Sequence, residues 1–356
     1  MRVALVYDWL DSWGGAERLL LSLAEIFPQA PIYTSLYRPK KADFAKIFPK
    51  IETSFLQKFS FLGHRLLAPL MPLAFENFNF DDFDLIISIT SFAAKGIITK
   101  PDTKHLCYLL TPTRFLWFPH LYQGQKIPRP IENYLKSWDK IAAQRPDKII
   151  AISQTVQERC QKIYKRDCPV IYPPLDKKFL SSNKNKKKKE RADFFLIVSR
   201  LERQKKVDLA IRAFNDLGWP LIIIGAGSQK KKLEKLAKKN IKFLGRVSDQ
   251  ELIKYYQQAQ ALIFPQEEDF GLVILEALAQ KTPVIAYRAG GATETIQEGE
   301  NGLFFYPQSS AILKKTLLKY HKNDYNKNNF RFEPDKFSQE SFISSWQKII
   351  KNYVES

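Results

Sequence analysis

Cysteine and histidine are scarce in this sequence, which has 3 cysteines and 4 histidines among 356 residues. Neither residue type recurs at the spacing of a zinc site, so we expect no bound metal. So few cysteines are typical of a protein that works in a reducing cytoplasm. No run of about 20 apolar residues occurs and the N-terminus lacks a signal-peptide pattern, so we expect neither a membrane-spanning helix nor secretion.

Acidic residues are also few, with 37 Asp and Glu against 56 Lys and Arg and a formal net charge of +19. A basic surface attracts phosphate, whether it belongs to nucleic acid, to anionic lipid or to a nucleotide. The excess is spread over both halves of the chain and is not gathered in one patch. We therefore favour a generally basic surface over nucleic-acid binding, the alternative that charge alone supports.

The length of 356 residues predicts two domains. Short apolar segments alternate with stretches of helical period, a pattern typical of parallel sheets covered on both faces. We predict strands at 3–7, 85–90, 106–110, 149–153, 194–199, 221–224, 242–244, 261–264 and 283–286. The domains that follow are 1–172 and 173–336, both Rossmann-like α/β units, with a C-terminal helix in 337–356. Ligands of open α/β sheets bind at the carboxyl ends of strands, so a cleft between the domains is expected.

Two glycine sites follow predicted strands. Gly14 and Gly15 come after the first strand and open a helix, where the backbone could approach a phosphate. Gly225 and Gly227 follow the strand at 221–224. Neither site has the third glycine of the dinucleotide fingerprint, so NAD binding is disfavoured, and tight-turn geometry is the alternative for Gly14 and Gly15.

Two cations lie just beyond the predicted strand at 194–199. Arg200 can bind phosphate through two parallel hydrogen bonds, and Lys205 can act as a mobile point charge. Together they suit a pyrophosphate leaving group, which gains negative charge as its bond breaks. A solvated charge cluster is the alternative for these residues.

Two carboxylates, Glu268 and Glu276, flank the apolar run from Phe270 to Leu275. Glu268 should lie in the loop after a strand, and Glu276 about a turn and a half into the next helix. A loop carboxylate can accept hydrogen bonds from sugar hydroxyls, and a helix-borne one can accept them from both hydroxyls of a ribose. With Arg200 and Lys205 on the phosphates, the pattern predicts a site for a sugar nucleotide.

Five segments carry a family resemblance and occur in the family's order. They are YDWLDSWGGAERLL, DLIISITSFAAKGI, CPVIYPPLD, VSRLERQKKVDLAIRAFN and EDFGLVILEALAQKTPVIAYRAGGATETI. The chain resembles the family 4 retaining glycosyltransferases of the GT-B fold, and within them the mannosyltransferase-like branch of lipopolysaccharide and capsule assembly. The resemblance implies a hexosyltransferase with two Rossmann-like domains facing a deep interdomain cleft.

The resemblance also implies roles for individual residues. Glu268, Arg200 and Lys205 would be catalytic, with Glu268 on the transferred hexose and Glu276 on the ribose. The residues that would bind the donor are Gly14, Gly15, Arg200, Lys205, Gly225, Glu268, Phe270, Gly271, Leu272 and Glu276. The implied chemistry retains the anomeric configuration and needs no metal or other cofactor. GDP-mannose is the leading donor, and the acceptor is a lipid-linked glycan or a polysaccharide.

The acceptor side departs from the family pattern. The histidine that the branch usually places before Thr-Pro is Leu110 here, and the aspartate that follows the tryptophan is Phe118. A leucine cannot make the histidine's hydrogen bond. Arg114 is kept and could contact the acceptor or the donor, and His120 could substitute for the missing histidine. A nucleotide-sugar-binding protein with weak or no transfer activity is therefore the main alternative, and a nucleotide-sugar epimerase is another.

Residues 53–80 are rich in phenylalanine and leucine and contain Lys58, His64 and Arg65. An amphipathic helix here could enter the headgroup region of a membrane, with the basic residues on anionic lipid. A pair of ordinary core-facing helices is the alternative. The amphipathic-helix interpretation predicts a cytoplasmic protein at the inner membrane face, whereas core-facing helices predict no membrane contact.

Overall fold

A computed structural model of the chain describes residues 1–119, 121, 127–181, 191–321 and 330–354. The chain forms two compact units, one from Met1–Pro174 with Gln339–Ser356 and the other from Leu175–Ser338. They are called the N-terminal unit and the C-terminal unit below. Each is built around its own six-stranded sheet.

Both sheets are parallel and have the same topology. The N-terminal sheet has the order β3-β2-β1-β4-β5-β6 and consists of β1 (Val3–Tyr7), β2 (Ile32–Thr34), β3 (Ile51–Thr53), β4 (Leu85–Thr90), β5 (Lys104–Leu109) and β6 (Lys148–Ala151). The C-terminal sheet has the order β12-β11-β10-β7-β8-β9 and consists of β7 (Phe195–Val198), β8 (Leu221–Ile224), β9 (Ile241–Gly245), β10 (Leu262–Phe264), β11 (Val284–Tyr287) and β12 (Gly302–Phe305). Numbered from its own first strand, each sheet has the doubly wound Rossmann order. Each therefore reverses its winding direction once, between β1 and β4 in the first sheet and between β7 and β10 in the second.

The predicted doubly wound α/β class is confirmed. Strands β1, β4 and β8 have the predicted limits, and the other six predicted strands differ from the observed ones by one or two residues at their ends. The sequence did not predict β2, β3 and β12.

Helices pack on each sheet. The first are α1 (Gly15–Ile26), α2 (His64–Leu67), α3 (Met71–Glu76), α4 (Arg114–Trp117), α5 (Arg129–Ala142) and α6 (Gln154–Tyr164). The C-terminal unit adds α7 (Lys177–Ser181), α8 (Val207–Leu217), α9 (Lys230–Leu236), α10 (Asp249–Gln258), α11 (Leu272–Ala279), α12 (Ala292–Thr295) and α13 (Ser310–Lys319), and the chain ends in α14 (Gln339–Val354). Short 3-10 helices lie at Asp43–Ile47, Phe55–Leu62, Ala68–Leu70, Ala94–Gly96, Arg203–Lys205 and Pro334–Phe337.

The C-terminal helix α14 packs on the N-terminal unit. Its Trp346 is fully buried, and the indole ring meets Tyr108 of β5 edge to face with ring centroids 5.3 Å apart. Gln339, the first residue of α14, donates a hydrogen bond of 2.9 Å to Glu25 of α1. The end of the chain thus completes the core of the unit that the beginning of the chain forms.

Residues 55–76, called the apolar segment below, have two faces. Leu56, Leu67, Met71 and Phe75 enter the core of the N-terminal unit. Seven other large apolar side chains of the segment are exposed, namely Phe55, Phe59, Phe61, Leu62, Leu66, Leu70 and Leu73. Packing against the core, the alternative to membrane contact, therefore explains the buried face of the segment. It does not explain the exposed apolar face.

Three further observations concern membrane-spanning helices, metal ligands and cysteines. Within the described ranges, no helix is both long and apolar enough to cross a bilayer. The same residues bring together no group of three or more His, Cys, Asp or Glu side chains that could hold a metal ion. The thiols of Cys107, Cys160 and Cys168 are buried, and none is in a disulfide.

Candidate functional site

The candidate site of the C-terminal unit lies where its sheet reverses direction. Ligands of open α/β sheets bind at the carboxyl ends of the strands beside such a reversal. Arg200 follows β7, and Lys205 ends the 3-10 helix that comes next. Glu268 follows β10, the strand that neighbours β7 across the reversal. The fold thus brings to one edge the three residues that the sequence predicts to be catalytic.

Lys205 and Glu268 are in direct contact. The ammonium group of Lys205 forms an ion pair with Oε1 of Glu268, and the two side chains are 11% and 21% exposed. Gln266, also in the loop after β10, donates a hydrogen bond of 3.0 Å from Nε2 to the same oxygen. An ion pair shielded from water is electrostatically stronger than one on the surface. These groups therefore hold one another in a defined arrangement at the sheet edge.

Arg200 is exposed, in contrast to Lys205. Its loop is fixed through Glu202, whose carboxylate accepts hydrogen bonds from the backbone N–H of Ser228 at 3.0 Å and from its hydroxyl at 2.6 Å. Over the part of the chain that the structure describes, the guanidinium of Arg200 forms no ion pair or side-chain hydrogen bond. It is therefore available to an anion that arrives from solvent.

Glu276 lies within α11, as the sequence predicts, and is buried with 3% exposure. The hydroxyl of Tyr256 on α10 donates a hydrogen bond of 2.8 Å to its Oε2. Burying a carboxylate is costly unless it has such partners. Tyr256, to which the sequence analysis gave no role, therefore orients Glu276.

The helix that carries Glu276 begins at a glycine. Gly271 has φ +95°, a left-handed conformation that glycine adopts without strain, and no side chain caps the helix after it. A Cβ at this position would lie 3.1 Å from Cδ1 of Ile274. Phe270 is buried, and Leu272 is the first helical residue. The uncapped N–H groups of the first turn favour a negative ligand there.

Gly290 and Gly291 pack against the loop of Glu268, a contact that the sequence did not predict. The N–H of Gly291 donates a hydrogen bond of 2.9 Å to the carbonyl oxygen of Glu268. A Cβ at Gly290 would lie 2.2 Å from that oxygen, and one at Gly291 would lie 2.4 Å from Cα of Phe270. Side chains are thus excluded where the loop after β11 supports the loop of Glu268. A glycine pair shortly after a strand also occurs at Gly14 and Gly15, so the same signal is present in the sequence here.

Close packing accounts for the glycines after β8. A Cβ at Gly225 would lie 1.9 Å from the carbonyl oxygen of Ser199, and one at Gly227 would lie 2.4 Å from that of Leu201. The loops after β7 and β8 therefore lie against each other, which helps to fix the segment that leads to Arg200. A direct contact of Gly225 with the donor stays a prediction.

In the N-terminal unit, Gly14 precedes α1 and Gly15 is its exposed first residue. No side chain caps this helix. Glu17, in its first turn, is buried and accepts a hydrogen bond of 2.8 Å from the hydroxyl of Tyr7. Burial and the charge of Glu17 raise the pKa of Tyr7 well above its ordinary value. The tyrosine therefore keeps its proton and holds the start of α1 on β1.

Asp8, directly after β1, joins β1 to the loop after β4 at the point where the N-terminal sheet reverses its winding direction. Its carboxylate accepts a hydrogen bond of 2.8 Å from Oγ1 of Thr90, at the end of β4. It also accepts hydrogen bonds of 2.7 to 3.0 Å from the backbone N–H groups of the four residues at 91–94. A carboxylate with so many donors shapes the loop after β4. Only the position of Asp8 at a strand end hints at this role in the sequence.

Arg114, an acceptor-side candidate, is the first residue of α4. The carboxylate of Asp139 accepts hydrogen bonds from Oγ1 of Thr113 at 2.6 Å and from Nε1 of Trp117 at 2.7 Å. Both ends of α4 are therefore fixed by one buried side chain of α5. This explains how the short helix can present Arg114.

Leu110 directly follows β5 and is 9% exposed. Its backbone N–H donates a hydrogen bond of 2.8 Å to Thr90, which places it at the same sheet edge as Asp8. His120, the predicted substitute for the family histidine, lies outside the described residues. Its role stays a prediction.

Comparison with known proteins finds a family similarity in the C-terminal unit. Residues 179–333 match the protein-family model described as glycosyl transferases group 1. The matched region includes every strand of the second sheet, together with Arg200, Lys205, Glu268 and Glu276.

Two curated relatives extend the similarity. The chain is 31% identical over 216 residues to an uncharacterized glycosyltransferase of Methanocaldococcus jannaschii, MJ1178, and the alignment covers 59% of each protein. It is 28% identical over 206 residues to D-rhamnosyltransferase WbpZ of Pseudomonas aeruginosa, with 54% of this chain and 52% of the relative covered. The chain thus matches about three fifths of the first relative's length and about half of the second's.

A solved structure shows the fold along the whole chain. Alr3699/HepE of Anabaena, crystallised in complex with UDP-glucose, is similar with a TM-score of 0.72 at 20% sequence identity. The likeness covers 99% of this chain and 100% of that one. The chain therefore has the GT-B fold, and its residues 179–333 are similar to the group 1 glycosyl transferases.

Proposed function

We propose that the chain is a retaining glycosyltransferase that transfers a hexose from a nucleotide sugar to a lipid-linked glycan or a polysaccharide. The ion pair of Lys205 with Glu268 at the sheet reversal carries the proposal. It places a cation and a carboxylate together, and these are the groups that bind the diphosphate and the hydroxyls of a sugar nucleotide. The glycosyltransferase names of the relatives support the same class of enzyme.

The charge of the leaving group is the first requirement of the reaction. Arg200 and Lys205 offer two positive charges at the place where a diphosphate would lie, and positive charge there stabilises the transition state. In our proposal these side chains replace a metal ion and no cofactor is needed. Transfer should then be unchanged by a chelator, whereas inhibition by EDTA that Mg²⁺ reverses would contradict this part of the proposal.

The two carboxylates would bind the two ends of the donor. Glu268 would accept hydrogen bonds from the hexose, helped by the N–H groups at Phe270 and Gly271, and Glu276 would bind the ribose in an orientation fixed by Tyr256. We propose GDP-mannose as the donor because the signature around Glu268 and Glu276 resembles that of mannosyltransferases. The UDP-glucose complex of the Anabaena protein makes uridine nucleotides the second class to test.

A panel of nucleotide sugars tests the donor site. Thermal shift and calorimetry with GDP-mannose, UDP-glucose, UDP-N-acetylglucosamine, GDP, UDP and NAD should show binding of one nucleotide class. Glu268→Gln should weaken binding of the nucleotide sugar more than binding of the matching nucleoside diphosphate. Glu234→Gln is the matched control, because Glu234 is a surface residue of the same unit that pairs with Lys230 at 3.6 Å.

The hydrolysis of the bound nucleotide sugar, followed in parallel, separates transfer from binding alone. Slow hydrolysis would show that the centre is active despite Leu110. Binding without hydrolysis, and without transfer to any glycan offered, would favour the nucleotide-sugar-binding alternative. An absence of binding to every nucleotide sugar would contradict both.

We propose further that the apolar segment brings the N-terminal unit to an anionic membrane surface. Phe61 is 72% exposed and Leu66 is 61% exposed, and both are close in sequence to the exposed cations Lys58 and Arg65. The one acidic residue in the sequence of the segment, Glu76, pairs with Arg145 at 2.7 Å. Apolar side chains with an excess of positive charge are the combination that anionic lipid binds.

Vesicle flotation tests this surface. The chain should float with vesicles of phosphatidylglycerol and phosphatidylcholine, and less with phosphatidylcholine alone. The double variant Phe61→Ser/Leu66→Ser should lose most of the binding, whereas Tyr306→Ser should keep it because Tyr306, 68% exposed, belongs to the other unit. Equal flotation of both variants would contradict the assignment.

A further inference from the structure

We propose that His64 and Asp11 bind a hydroxyl group of the acceptor glycan, at the border of the apolar segment. The inference rests on the proposed function and deepens it, since the family segments contain Asp11 but not His64. It concerns the N-terminal unit alone, and it names a binding residue on a side of the reaction where the family histidine is replaced by Leu110.

The pair joins two elements that are distant in sequence. Asp11 lies in the loop between β1 and the glycine pair, and His64 is the first residue of α2. Nδ1 of His64 lies 2.6 Å from Oδ2 of Asp11 across 53 residues of sequence. The imidazole also stacks on Trp9, with ring centroids 4.4 Å apart and the planes 3° from parallel. These two contacts fix the position and the plane of the ring.

The hydrogen bond to Asp11 decides what the other ring nitrogen can do. An ionised carboxylate only accepts, so Nδ1 carries the proton of this bond and Nε2 is left for a second partner. The His64 side chain is 28% exposed, and it forms no other hydrogen bond to the residues that the structure describes. A hydroxyl group both donates and accepts, so it can bind Nε2 whether the imidazole is neutral or protonated.

An unsatisfied oxygen on Asp11 points to the same kind of ligand. Asp11 is 8% exposed, and its Oδ1 is buried with no hydrogen-bond partner among the described residues. A buried carboxylate oxygen without a donor is costly. The neighbouring Asp8 differs, because four backbone N–H groups and Thr90 satisfy its carboxylate. Of these two carboxylates only that of Asp11 therefore lacks a donor, and a glycan hydroxyl or its neighbour on the sugar ring can supply it.

The apolar segment indicates that this glycan is attached to a lipid. The exposed side chains of Phe61, Leu62 and Leu66 surround His64 in the sequence. A lipid that contacts them would place its sugar headgroup beside the imidazole. A soluble sugar without a lipid would lose that part of the binding energy, so we infer an alkyl- or lipid-linked glycoside as the ligand class.

Imidazole NMR tests the site without any turnover. The chain has 4 histidines, and His321, whose ring is tilted by 32° against that of Trp219 with centroids 4.7 Å apart in the C-terminal unit, is the matched control. Octyl α-mannoside below its micelle concentration should shift the ¹⁵N resonances of His64 and leave those of His321 unchanged. Methyl α-mannoside at the same concentration should have a smaller effect. An unshifted His64, or equal shifts at both histidines, would overturn the proposal.

Kinetics with the same glycoside test the role of His64 in the reaction. His64→Ala should raise the KM for octyl α-mannoside about three- to tenfold, the size of one lost hydrogen bond, and leave the hydrolysis of the donor by water unchanged. His64→Gln should recover part of the loss because its amide can still reach a hydroxyl, and His321→Ala should match the unaltered chain.

A His64→Ala variant with an unchanged KM for the glycoside and slower donor hydrolysis would overturn the proposal, since it would show a structural role. Failure of the proposed function is distinguishable from this result. A chain that neither transfers nor hydrolyses any nucleotide sugar would contradict the glycosyltransferase assignment, and the NMR titration would still decide whether His64 and Asp11 bind a glycoside.

Discussion

The buried carboxylate of Asp139 accepts hydrogen bonds of 2.6 to 2.8 Å from Lys95, Thr113, Trp117 and Tyr164. The side chains of Lys95 and Asp139 are both 0% exposed, so water cannot replace either partner. Burial and the charge of Asp139 raise the pKa of Tyr164 well above its ordinary value, so its hydroxyl stays a donor. The substitution Asp139→Ala would leave the ammonium group of Lys95 with the carbonyl oxygen of Phe92 but no counter-charge, and three neutral donors without this acceptor.

The magnitude follows from those four contacts. Removing one partner of a buried ion pair costs about 3 to 5 kcal/mol. Each neutral donor that loses its partner adds about 1 kcal/mol, although such losses are not fully additive. We expect Asp139→Ala to lower the free energy of unfolding of the N-terminal unit by about 4 to 6 kcal/mol, a large share of the roughly 5 to 15 kcal/mol that domains usually have.

Urea unfolding followed by tryptophan fluorescence measures this loss. Of the 6 tryptophans, Trp219 alone belongs to the C-terminal unit, so the signal reports mainly on the N-terminal one. The control Asp81→Ala breaks a surface pair with Lys100 at 3.0 Å and should cost less than about 1 kcal/mol. A loss for Asp139→Ala as small as the control's would refute the reasoning.

A double variant separates the buried charge from the lost hydrogen bonds. Asp139→Asn keeps the shape of the side chain but leaves the ammonium group of Lys95 without a counter-charge. Adding Lys95→Met removes that charge, so the double variant should be more stable than Asp139→Asn alone. If it is less stable, the ion pair is not the source of the cost.

Three further predictions concern single contacts. Tyr256→Phe removes the 2.8 Å hydrogen bond to Glu276 and should weaken nucleotide-sugar binding about three- to tenfold in calorimetry, and unchanged affinity would contradict the orienting role. Gly290→Ala places a Cβ 2.2 Å from the carbonyl oxygen of Glu268 and should lose donor binding, whereas Gly299→Ala, at φ +87° with open space around it, should lower only the melting temperature. Burial and the charge of Arg145 lower the pKa of His105 from 6.5 to about 3. Between these two pH values the unfolded chain binds a proton at His105 and the folded chain does not. The stabilisation that neutral His105 contributes is therefore complete above pH 6.5 and is lost as the pH falls towards about 3. The loss is at most about 1.4 kcal/mol per pH unit. The unfolding free energy of His105→Gln should fall less between pH 7 and pH 5 than that of the unaltered chain, and parallel pH profiles would contradict this.

The sequence predicted the fold class and the placement of the C-terminal site because both depend on strand ends. Strands buried on both faces are continuous apolar runs, and their ends are visible where the loops that carry Arg200 and Glu268 begin. Glu276 could be assigned to a helix because the apolar residues before it continue past the loop. Strands β2 and β3 contain threonine and β12 begins with glycine, so none of the three consists entirely of large apolar residues as β8 and β10 do.

Contacts between distant residues could not be predicted from local pattern. His64 and Asp11 are 53 residues apart, and Lys95 and Asp139 are 44 residues apart. Each pair forms because separate loops or helices meet at a sheet edge, and no spacing along the chain encodes that meeting. For the same reason the sequence could not tell which face of the apolar segment would stay exposed.

If the proposed donor site is correct, the contact between Lys205 and Glu268 also affects how a nucleotide sugar is attracted to the protein. The two charges neutralise each other before any ligand arrives, so long-range attraction comes mainly from the diffuse excess of 56 Lys and Arg over 37 Asp and Glu. Exposed charges are screened within about 8 Å at physiological ionic strength, whereas a shielded pair is screened much less. Added salt should therefore lower the association rate constant of a nucleotide sugar in stopped-flow measurements and leave its dissociation rate constant nearly unchanged.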